Sequence, residues 1–273
     1  MDTNYAFVLV IGILGSSVVH FSQGLMRLAI MRKAGGAVQS RIRWIYIAGV
    51  ALNFTAPLWM ILANRFGPTT LYTSMYAVGL IVLLAFSCAK LGQEFRSRDL
   101  IGVLLLIAGT ALLGIDGLGN PVDMSTVNPA PLLVAGLTAV VLVWPLDRFG
   151  RQHDIIPLGM LVGMLGGVFL ALDSLLKGVA QYDSGAAAFL PTTGMGLTLF
   201  VVSFIGAGLA FGMTQLAHIR SAKASETIAG YDVAYVALPV LIIPLATGES
   251  AGISVLCYSG LVCLALGIYY MGR

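Results

Sequence analysis

Residues 194–216, GMGLTLFVVSFIGAGLAFGMTQL, contain no charged side chain, and this stretch decides the fold class. Crossing the hydrocarbon core of a bilayer takes about 20 mostly apolar residues in a helix. Because the stretch is continuously apolar, whereas the strands of a membrane barrel alternate, the predicted class is an all-α integral membrane protein. The same pattern recurs along the chain and predicts about nine transmembrane helices, at 5–30, 44–63, 69–90, 100–118, 131–146, 155–172, 194–216, 227–246 and 252–270.

The composition supports the membrane class and argues against several others. Only 10% of the residues are charged, whereas soluble domains carry about 25% because their surface faces water. The net charge of +3 gives no support to nucleic-acid binding. The sequence has no phosphate-binding loop, no nucleophile elbow and no metal-ligand spacing among its three cysteines. It therefore predicts a protein that is not an enzyme and that uses no metal or cofactor.

The distribution of basic residues predicts how the helices are oriented. Positively charged residues stay on the cytoplasmic side of a membrane during insertion. With nine helices, almost all of them fall on one set of alternating loops, and the other set contains only Arg65 and Lys177. We therefore expect the N-terminus outside and the C-terminus inside, in a cytoplasmic membrane that the chain crosses many times. The stretches 119–130 and 173–193 are predicted as extracytoplasmic loops.

Two parts of the chain share a pattern that indicates an inverted repeat. In each part, a turn containing glycine and glutamate precedes a helix with two glycines seven residues apart, which lie on one helix face. By the predicted orientation the two turns face opposite sides of the membrane, as inverted repeats require. We predict a first repeat of four helices at 1–118, a linker at 119–130 and a second repeat of five helices at 131–273. The matching pieces are Gly92-Gln93-Glu94 with Gly102 and Gly109, and Gly248-Glu249 with Gly260 and Gly267.

These turns and glycine-rich helices resemble the drug/metabolite transporter (DMT) superfamily, in particular its EamA-like group. The first half is also similar to the magnesium-transporter-like NIPA branch, which has nine helices and an outward N-terminus. The second half departs from that branch at Asp232 and at Asp147-Arg148. The resemblance implies a membrane transporter. The residues that carry the first-half similarity are Gly24-Leu25, Trp44, Gly49, Leu52-Asn53-Phe54, Ala63, Pro68, Leu71 and Glu94.

Asp232 is the clearest charged residue within a predicted helix, and Tyr231 and Tyr235 flank it. A charge at the centre of a membrane helix costs about 2.5–3.5 kcal/mol on insertion scales, so a charged residue there is expected to have a function or a compensating partner. Two interpretations are open. Asp232 could form a site for a cation, a proton or an amine in a central cavity, or it could lie near the interface and pair with Arg220 or Lys223.

Polar residues on the first three helices supply further candidates for substrate binding. His20, Gln23 and Arg27 lie along one helix face because they are three and four residues apart. We predict that His20 and Gln23 line a hydrophilic cavity, whereas Arg27 extends to the cytoplasmic interface. Asn53 and Tyr76 lie deep enough in their helices to touch a substrate.

Other polar residues are predicted at the membrane surfaces. Tyr72 fits an outer aromatic belt, and Gln215 and His218 fit the cytoplasmic interface. Glu94 and Glu249 are predicted to order their turns rather than to bind substrate.

Together these features predict a secondary transporter or facilitator that moves a small solute, either a metabolite or a cation, by alternating access. Two alternatives stay open: a flippase or exporter of an amphipathic or lipid-linked solute, and a non-transporting membrane subunit of a larger complex. The predicted partners are the lipid bilayer and the solute, and a homodimer or a membrane complex is compatible with the sequence. The predicted substrate-binding residues are Asp232, Tyr231, Tyr235, Tyr76, Asn53, His20 and Gln23.

Overall fold

The computed structural model describes residues 4–35, 39–67, 69–94, 96–152, 157–182, 189–220, 222–248 and 254–272. Within these ranges the chain is helical and contains no strand. One short 3₁₀ helix, Tyr76–Val78, joins two of the α-helices. The α-helices are α1 (Tyr5–Ala34), α2 (Gln39–Asn53), α3 (Ala56–Asn64), α4 (Thr69–Ser74), α5 (Gly79–Lys90), α6 (Ser97–Gly119), α7 (Pro129–Gln152), α8 (Leu158–Tyr182), α9 (Gly194–Ile219), α10 (Ala224–Thr247) and α11 (Val255–Met271).

Eight helical segments of the described chain are long and apolar enough to cross a bilayer, which makes this an all-α, multi-pass membrane protein. They correspond to the first eight predicted helices. The ninth predicted helix, 252–270, forms α11, a shorter apolar helix of 17 residues. Two of the eight spans consist of consecutive short helices. One span joins α2 to α3, and the other joins α4 to the 3₁₀ helix and α5.

The first interruption lies within the second span, where the sequence predicted a continuous helix at 44–63. α2 ends at Asn53, and α3 begins at Ala56 with Pro57 in its first turn. Proline has no backbone N–H, so it cannot continue the hydrogen-bond ladder of the preceding helix, and it suits the start of a new one. The prediction of a continuous helix was therefore wrong at this point.

The second interruption, at the 3₁₀ helix, is stabilised by a side chain of another helix. Ser16 of α1 donates a hydrogen bond to the Tyr76 carbonyl and accepts one of 3.0 Å from the Gly79 backbone N–H. Backbone polar groups freed within a membrane helix need such internal partners. The continuous helix predicted at 69–90 is thus broken in the middle of the bundle, and α1 holds the break in place.

Two helices extend beyond their predicted ends. α7 was predicted to end near Pro145 and continues through it. α8 was predicted to end at 172, but it continues to Tyr182, so Asp173 and Lys177 lie on a helix and not in an extracytoplasmic loop. The loop predicted at 173–193 was therefore wrong for 173–182, where two opposite charges four residues apart neutralise each other on one helix face, whereas 189–193 are non-helical as predicted.

α6 and α11 pack against each other in antiparallel orientation through their glycines. A Cβ atom built at Gly109 would lie 2.8 Å from the Gly260 carbonyl oxygen, and one at Gly102 would lie 3.0 Å from the Gly267 carbonyl oxygen. Small residues allow this close approach of two membrane helices. The glycine face predicted on α6 therefore packs against the glycine face predicted on α11.

α8 and α10 lie parallel and approach each other even more closely. A Cβ atom built at Gly163 would overlap the Thr227 carbonyl, and one at Gly167 would overlap the Tyr231 carbonyl. Only glycine leaves room for this crossing. The contact sets the position of Asp232 on α10 relative to α8.

Gly163→Ala tests the contact between α8 and α10. Overpacking of this kind costs about 1–3 kcal/mol, so we expect a lower apparent melting temperature of the purified protein in detergent. Gly208→Ala on α9 is the matched control, because a Cβ atom there meets no atom within 4 Å. The control should leave the melting temperature unchanged or raise it slightly. Equal shifts in the two variants would contradict the close contact.

Candidate functional site

A histidine and an aspartate from two distant helices meet in the interior of the bundle. The His20 Nε2 atom of α1 lies 2.9 Å from the Asp232 Oδ2 atom of α10, and both side chains are 1% exposed. His20 is residue 16 of 30 in α1, and Asp232 is residue 9 of 24 in α10, so both lie in the middle third of their helices.

Asp232 lies deeper than the sequence indicated because α10 begins three residues before the predicted start at 227. Its partner is His20, whereas Lys223 forms an exposed ion pair of 2.7 Å with Glu226. The interpretation of Asp232 as an interface residue paired with Arg220 or Lys223 was therefore wrong. The alternative, a polar site in the interior, remains.

The hydrogen bonds of His20 determine the charge of the pair. His20 Nδ1 lies 2.8 Å from the Ser16 carbonyl oxygen, which can only accept, so Nδ1 carries a proton. The contact between Nε2 and Asp232 needs one further proton, which resides either on the imidazole or on the carboxyl group. In both cases the pair as a whole is neutral, which lowers its cost in an apolar interior. The pair thus shares one proton between the imidazole and the carboxyl group.

Tyrosines surround this pair. The rings of Tyr76 and Tyr235 meet edge to face with centroids 4.7 Å apart, and the Tyr76 ring lies 5.2 Å from the His20 ring. Six buried side-chain atoms of the described residues have no hydrogen-bond partner, and two of them, the Tyr76 hydroxyl and the Asp232 Oδ1 atom, belong to this group. An unpaired buried polar atom is costly and calls for an explanation. Both atoms are therefore free to bond to a solute, an ion or water.

A small cavity, the central cavity, lies beside the tyrosine pair. It has a volume of about 10 Å³ and is bounded by α3, α4, the 3₁₀ helix, α8 and α10. It therefore lies where the first and second halves of the chain meet, and it has room for no more than a water molecule. Its polar and aromatic lining residues are Tyr72, Tyr76, Asp173, Ser174 and Tyr235.

A second pair of opposite charges lies next to the central cavity. Asp173 and Lys177 of α8 form an ion pair, and their side chains are at most 1% exposed. The Lys177 ammonium group also lies 4.0 Å from the centroid of the Phe204 ring on α9. The Ser174 and Tyr235 hydroxyl oxygens are 3.1 Å apart. This hydrogen bond connects the helix that carries the ion pair with the tyrosines around His20 and Asp232.

Toward the predicted cytoplasmic side, hydrogen bonds join α1, α2 and α9. Gln23 donates to Asn53 Oδ1 at 2.8 Å and accepts from His218 Nε2 at 3.2 Å. Arg27 donates to the His218 carbonyl. We refer to Gln23, Asn53 and His218 as the inner contact. It lies one helical turn from His20 and connects helices of the first and second halves of the chain.

On the other side of the central cavity, one hydrogen bond joins α3 to α8. The buried side chain of Asn64 donates from Nδ2 to Gln181 Oε1 at 2.9 Å. We refer to this pair as the outer contact. Asn64 is the last residue of α3, and Gln181 precedes the last residue of α8, so the contact lies at the predicted outer end. The central cavity therefore lies between an inner and an outer polar contact.

A larger cavity of about 580 Å³ lies at the predicted outer end, between α4, α6, α10 and the beginning of α11. Thr73 and Val236 line it, and these residues follow Tyr72 and Tyr235 in the sequence. The two cavities share no lining residue. The chain at Tyr72 and Tyr235 therefore separates the central cavity from this outer cavity.

The structure divides the predicted substrate-binding residues between two places. The group in the centre is His20, Asp232, Tyr76 and Tyr235, with Tyr231 packed against α8. Gln23 and Asn53 belong to the inner contact. Of the two glutamates predicted to order turns, Glu94 is exposed and Glu249 lies outside the described residues.

Three residues predicted at the membrane surfaces are buried inside the bundle. Tyr72, Arg27 and His218 are 2%, 7% and 0% exposed, so their side chains face other helices and neither lipid nor water, which the predicted surface positions did not include. Tyr72 lines the central cavity, and Arg27 and His218 are hydrogen-bonded to each other. Each has an internal polar environment that its position along a helix does not reveal.

The sequence analysis also missed the second ion pair and the outer contact. Asp173 and Lys177 left a usable signal, since opposite charges four residues apart in an apolar stretch indicate a pair within a helix. Asn64 and Gln181 left no signal in the sequence, because they are 117 residues apart and only the packing of α3 on α8 brings them together.

Searches of protein-family models, of curated proteins and of solved structures found no match to this chain. The inference of a function therefore rests on the residues and contacts described above.

A double-mutant cycle tests the His20–Asp232 pair. Removing one partner of a buried pair costs about 3–5 kcal/mol, so His20→Ala should lower the melting temperature strongly. Asp232→Asn should cost less, because the amide can still form a hydrogen bond with His20. The double variant His20→Ala/Asp232→Ala should lose less stability than the two alanine variants combined. Additive losses in thermal unfolding would contradict a direct interaction.

Proposed function

We propose that this chain is a secondary transporter or facilitator that moves a small solute across the cytoplasmic membrane by alternating access. The observation that carries the proposal is the buried His20–Asp232 pair in the middle of the bundle. Ionisable residues at this depth of a membrane protein usually mark the path of a substrate, an ion or a proton. The unpaired Asp232 Oδ1 atom and Tyr76 hydroxyl supply groups that a bound solute would satisfy.

The proposal includes two inverted repeats, at 1–118 and 131–273. In support, α6 and α11, the last helices of the two repeats, pack face to face and antiparallel, as expected of helices related by a two-fold axis in the membrane plane. The turns that precede these helices contain Gly92 and Gly248, which have φ angles of 65° and 70°. They are the two glycines with positive φ in the described chain.

When α7 is set aside as an additional helix, each repeat has four spans. The inner and outer contacts then occupy equivalent places in the two repeats. Gln23 on the first span of the first repeat contacts His218 at the end of α9, the second span of the second repeat. Gln181 on α8, the first span of the second repeat, contacts Asn64 at the end of the second span of the first repeat. The two contacts are counterparts at opposite ends of the bundle.

Alternating access follows from this arrangement. Rocking of one repeat against the other would open one contact while the other stays closed, so the central site would face one side at a time. The hydrogen bonds described in these contacts are worth about 1 kcal/mol each. A bound solute can shift an equilibrium of this size through a modest difference in affinity for the two states.

Asp232→Asn tests the role of the central pair. Purified protein is screened by thermal unfolding against divalent cations, amines, amino acids, sugar phosphates and lipid-linked head groups. A ligand at about 100 times its dissociation constant stabilises the native state by about 2.7 kcal/mol. We expect one class to stabilise the wild type but not the variant, and we expect its flux into proteoliposomes to be lost in the variant.

Glu94→Gln is the matched control, because it makes the same change at an exposed carboxylate. It should retain both ligand stabilisation and flux. Normal flux in a folded Asp232→Asn variant would remove Asp232 from the mechanism. No response of the wild type to any class, together with a partner that co-purifies with it, would contradict a transporter and favour a subunit of a complex.

The inner and outer contacts are tested by thiol labelling of a cysteine placed at Ala56, which lines the central cavity. The three native cysteines are replaced by alanine, and a membrane-impermeant maleimide is applied to either face. Asn64→Ala should raise the labelling rate from the outer face about two- to tenfold, since it removes one hydrogen bond. Gln23→Ala removes the bond between Gln23 and His218, which joins the two halves in the inner contact, and should raise the labelling rate from the cytoplasmic face.

These two variants serve as controls for each other, because both replace a hydrogen-bonded amide side chain with alanine. An increase from the same face in both, or from neither face, would show that the contacts do not control access to the cavity.

A further inference from the structure

The Asp173–Lys177 pair has the features of an occupied ammonium site. The Lys177 ammonium group is buried, pairs with the Asp173 carboxylate and lies 4.0 Å from the centroid of the Phe204 ring. A carboxylate and an aromatic face together form a suitable environment for an alkylammonium ion. Here the chain itself supplies that ion.

Only one member of the pair faces the place where a solute would bind. Asp173 lines the central cavity, whereas Lys177 lies behind it, against α9. This cavity holds at most a water molecule while both polar contacts are closed, so a cation would enter after one contact has opened. It would then reach the Asp173 carboxylate from the side opposite Lys177. In an apolar interior, one carboxylate cannot compensate two cations, because charges are screened weakly there.

We propose that Asp173 is the binding site for a primary ammonium ligand and that Lys177 gives up its proton when this ligand binds. The proposal rests on the transport function proposed above and names its substrate class. The entering R–NH₃⁺ group pairs with the Asp173 carboxylate, and Lys177 changes from –NH₃⁺ to –NH₂ by releasing one proton to water. The net charge of the site is the same before and after, so one amine cation is exchanged for one proton.

The other ionisable groups around the pair do not compete for this role. The ionisable side chains that face it from neighbouring elements are all tyrosines: Tyr72 on α4, Tyr76 on the 3₁₀ helix, and Tyr231 and Tyr235 on α10. Tyrosine hydroxyls are uncharged near neutral pH. α9 contributes Ser203 and Phe204, and the membrane span of α7, Pro129–Leu146, contains no ionisable side chain. Lys177 is therefore the group that can release a proton.

The lining favours an amine over a metal ion. Ca²⁺ takes 6–8 oxygen ligands and Mg²⁺ about six, and the described residues contain no cluster of three or more potential metal-binding side chains. Tyr72, Tyr76 and Tyr235 instead offer aromatic surface for an organic substituent. The position that Lys177 occupies already accommodates an alkylammonium group.

The proposal is tested by measuring protons released on ligand binding in detergent. Methylammonium and butylammonium are added to purified protein in a weakly buffered, amine-free solution with a pH indicator. We expect about one proton per ligand bound, and an affinity that falls about tenfold for each unit of decrease in pH. Tetramethylammonium, which has no N–H group, and Na⁺ and K⁺ should release none.

Three variants assign the proton to Lys177. Lys177→Arg should not bind amines, because a guanidinium group stays protonated. Lys177→Gln leaves the buried Asp173 carboxylate without its cation, so this carboxylate should take up a proton, and amine binding should then release that proton from Asp173 in place of Lys177. If this variant does not fold, Asp173→Asn/Lys177→Gln, which removes both charges, should fold and bind no amine. Lys223→Gln is the matched control, since it changes an exposed paired lysine and should behave as the wild type.

The outcomes separate this proposal from the general transport function. Amine binding without proton release, proton release that survives in Lys177→Arg, or release by Na⁺ or K⁺ in place of amines would each overturn it. Flux of another solute that depends on Asp232, with no amine response, would overturn the amine site and leave the transporter intact. Amine-linked proton release without flux of any amine into liposomes would support the site and refute the transporter.

Discussion

The hydrogen bond between His20 and Asp232 connects α1 to α10 in an apolar interior, and the packing around it keeps both side chains dry and paired. Gly79 faces His20, and a Cβ atom there would overlap the imidazole and the Ser16 hydroxyl. Ser16 in turn satisfies the backbone at the break between α4 and α5, which brings Tyr76 beside the pair. The lack of a side chain at Gly79 and the break between α4 and α5 thus both support the contact between His20 and Asp232.

The two buried pairs follow one physical rule. A single charge in an apolar bundle is expensive, so each acid has a base within contact distance and each pair is close to neutral. The rule also explains how such a protein could couple the movement of a cation to the movement of a proton. A neutral pair accepts another cation only if it loses a proton, so the exchange follows from charge balance and needs no large conformational signal.

The polar contacts at the two ends have a different character. They join amides and an imidazole by few hydrogen bonds, and they connect helices of the first half of the chain to helices of the second half. Glycine faces make closer contacts, both within the second half, as α8 on α10, and between the halves, as α6 on α11. The polar contacts are thus the weaker links between the halves, whereas the α6–α11 contact holds the halves together.

The sequence by itself determined the features that depend on local composition. Continuous apolar stretches predict membrane helices because a bilayer requires about 20 such residues, and glycines seven residues apart predict a contact face because they share one side of a helix. Asp232 was identifiable because it interrupts an apolar stretch, but the depth at which it lies depended on where α10 begins.

The tertiary structure decided which polar groups meet. His20 and Asp232 are 212 residues apart, and Gln23 and His218 are 195 apart, so no local pattern connects them. Tyr72, Arg27 and His218 lie in positions typical of a membrane interface, yet they are buried because neighbouring helices cover them. A side chain near a helix end can face lipid, water or another helix, and only the packing of the whole bundle selects among these.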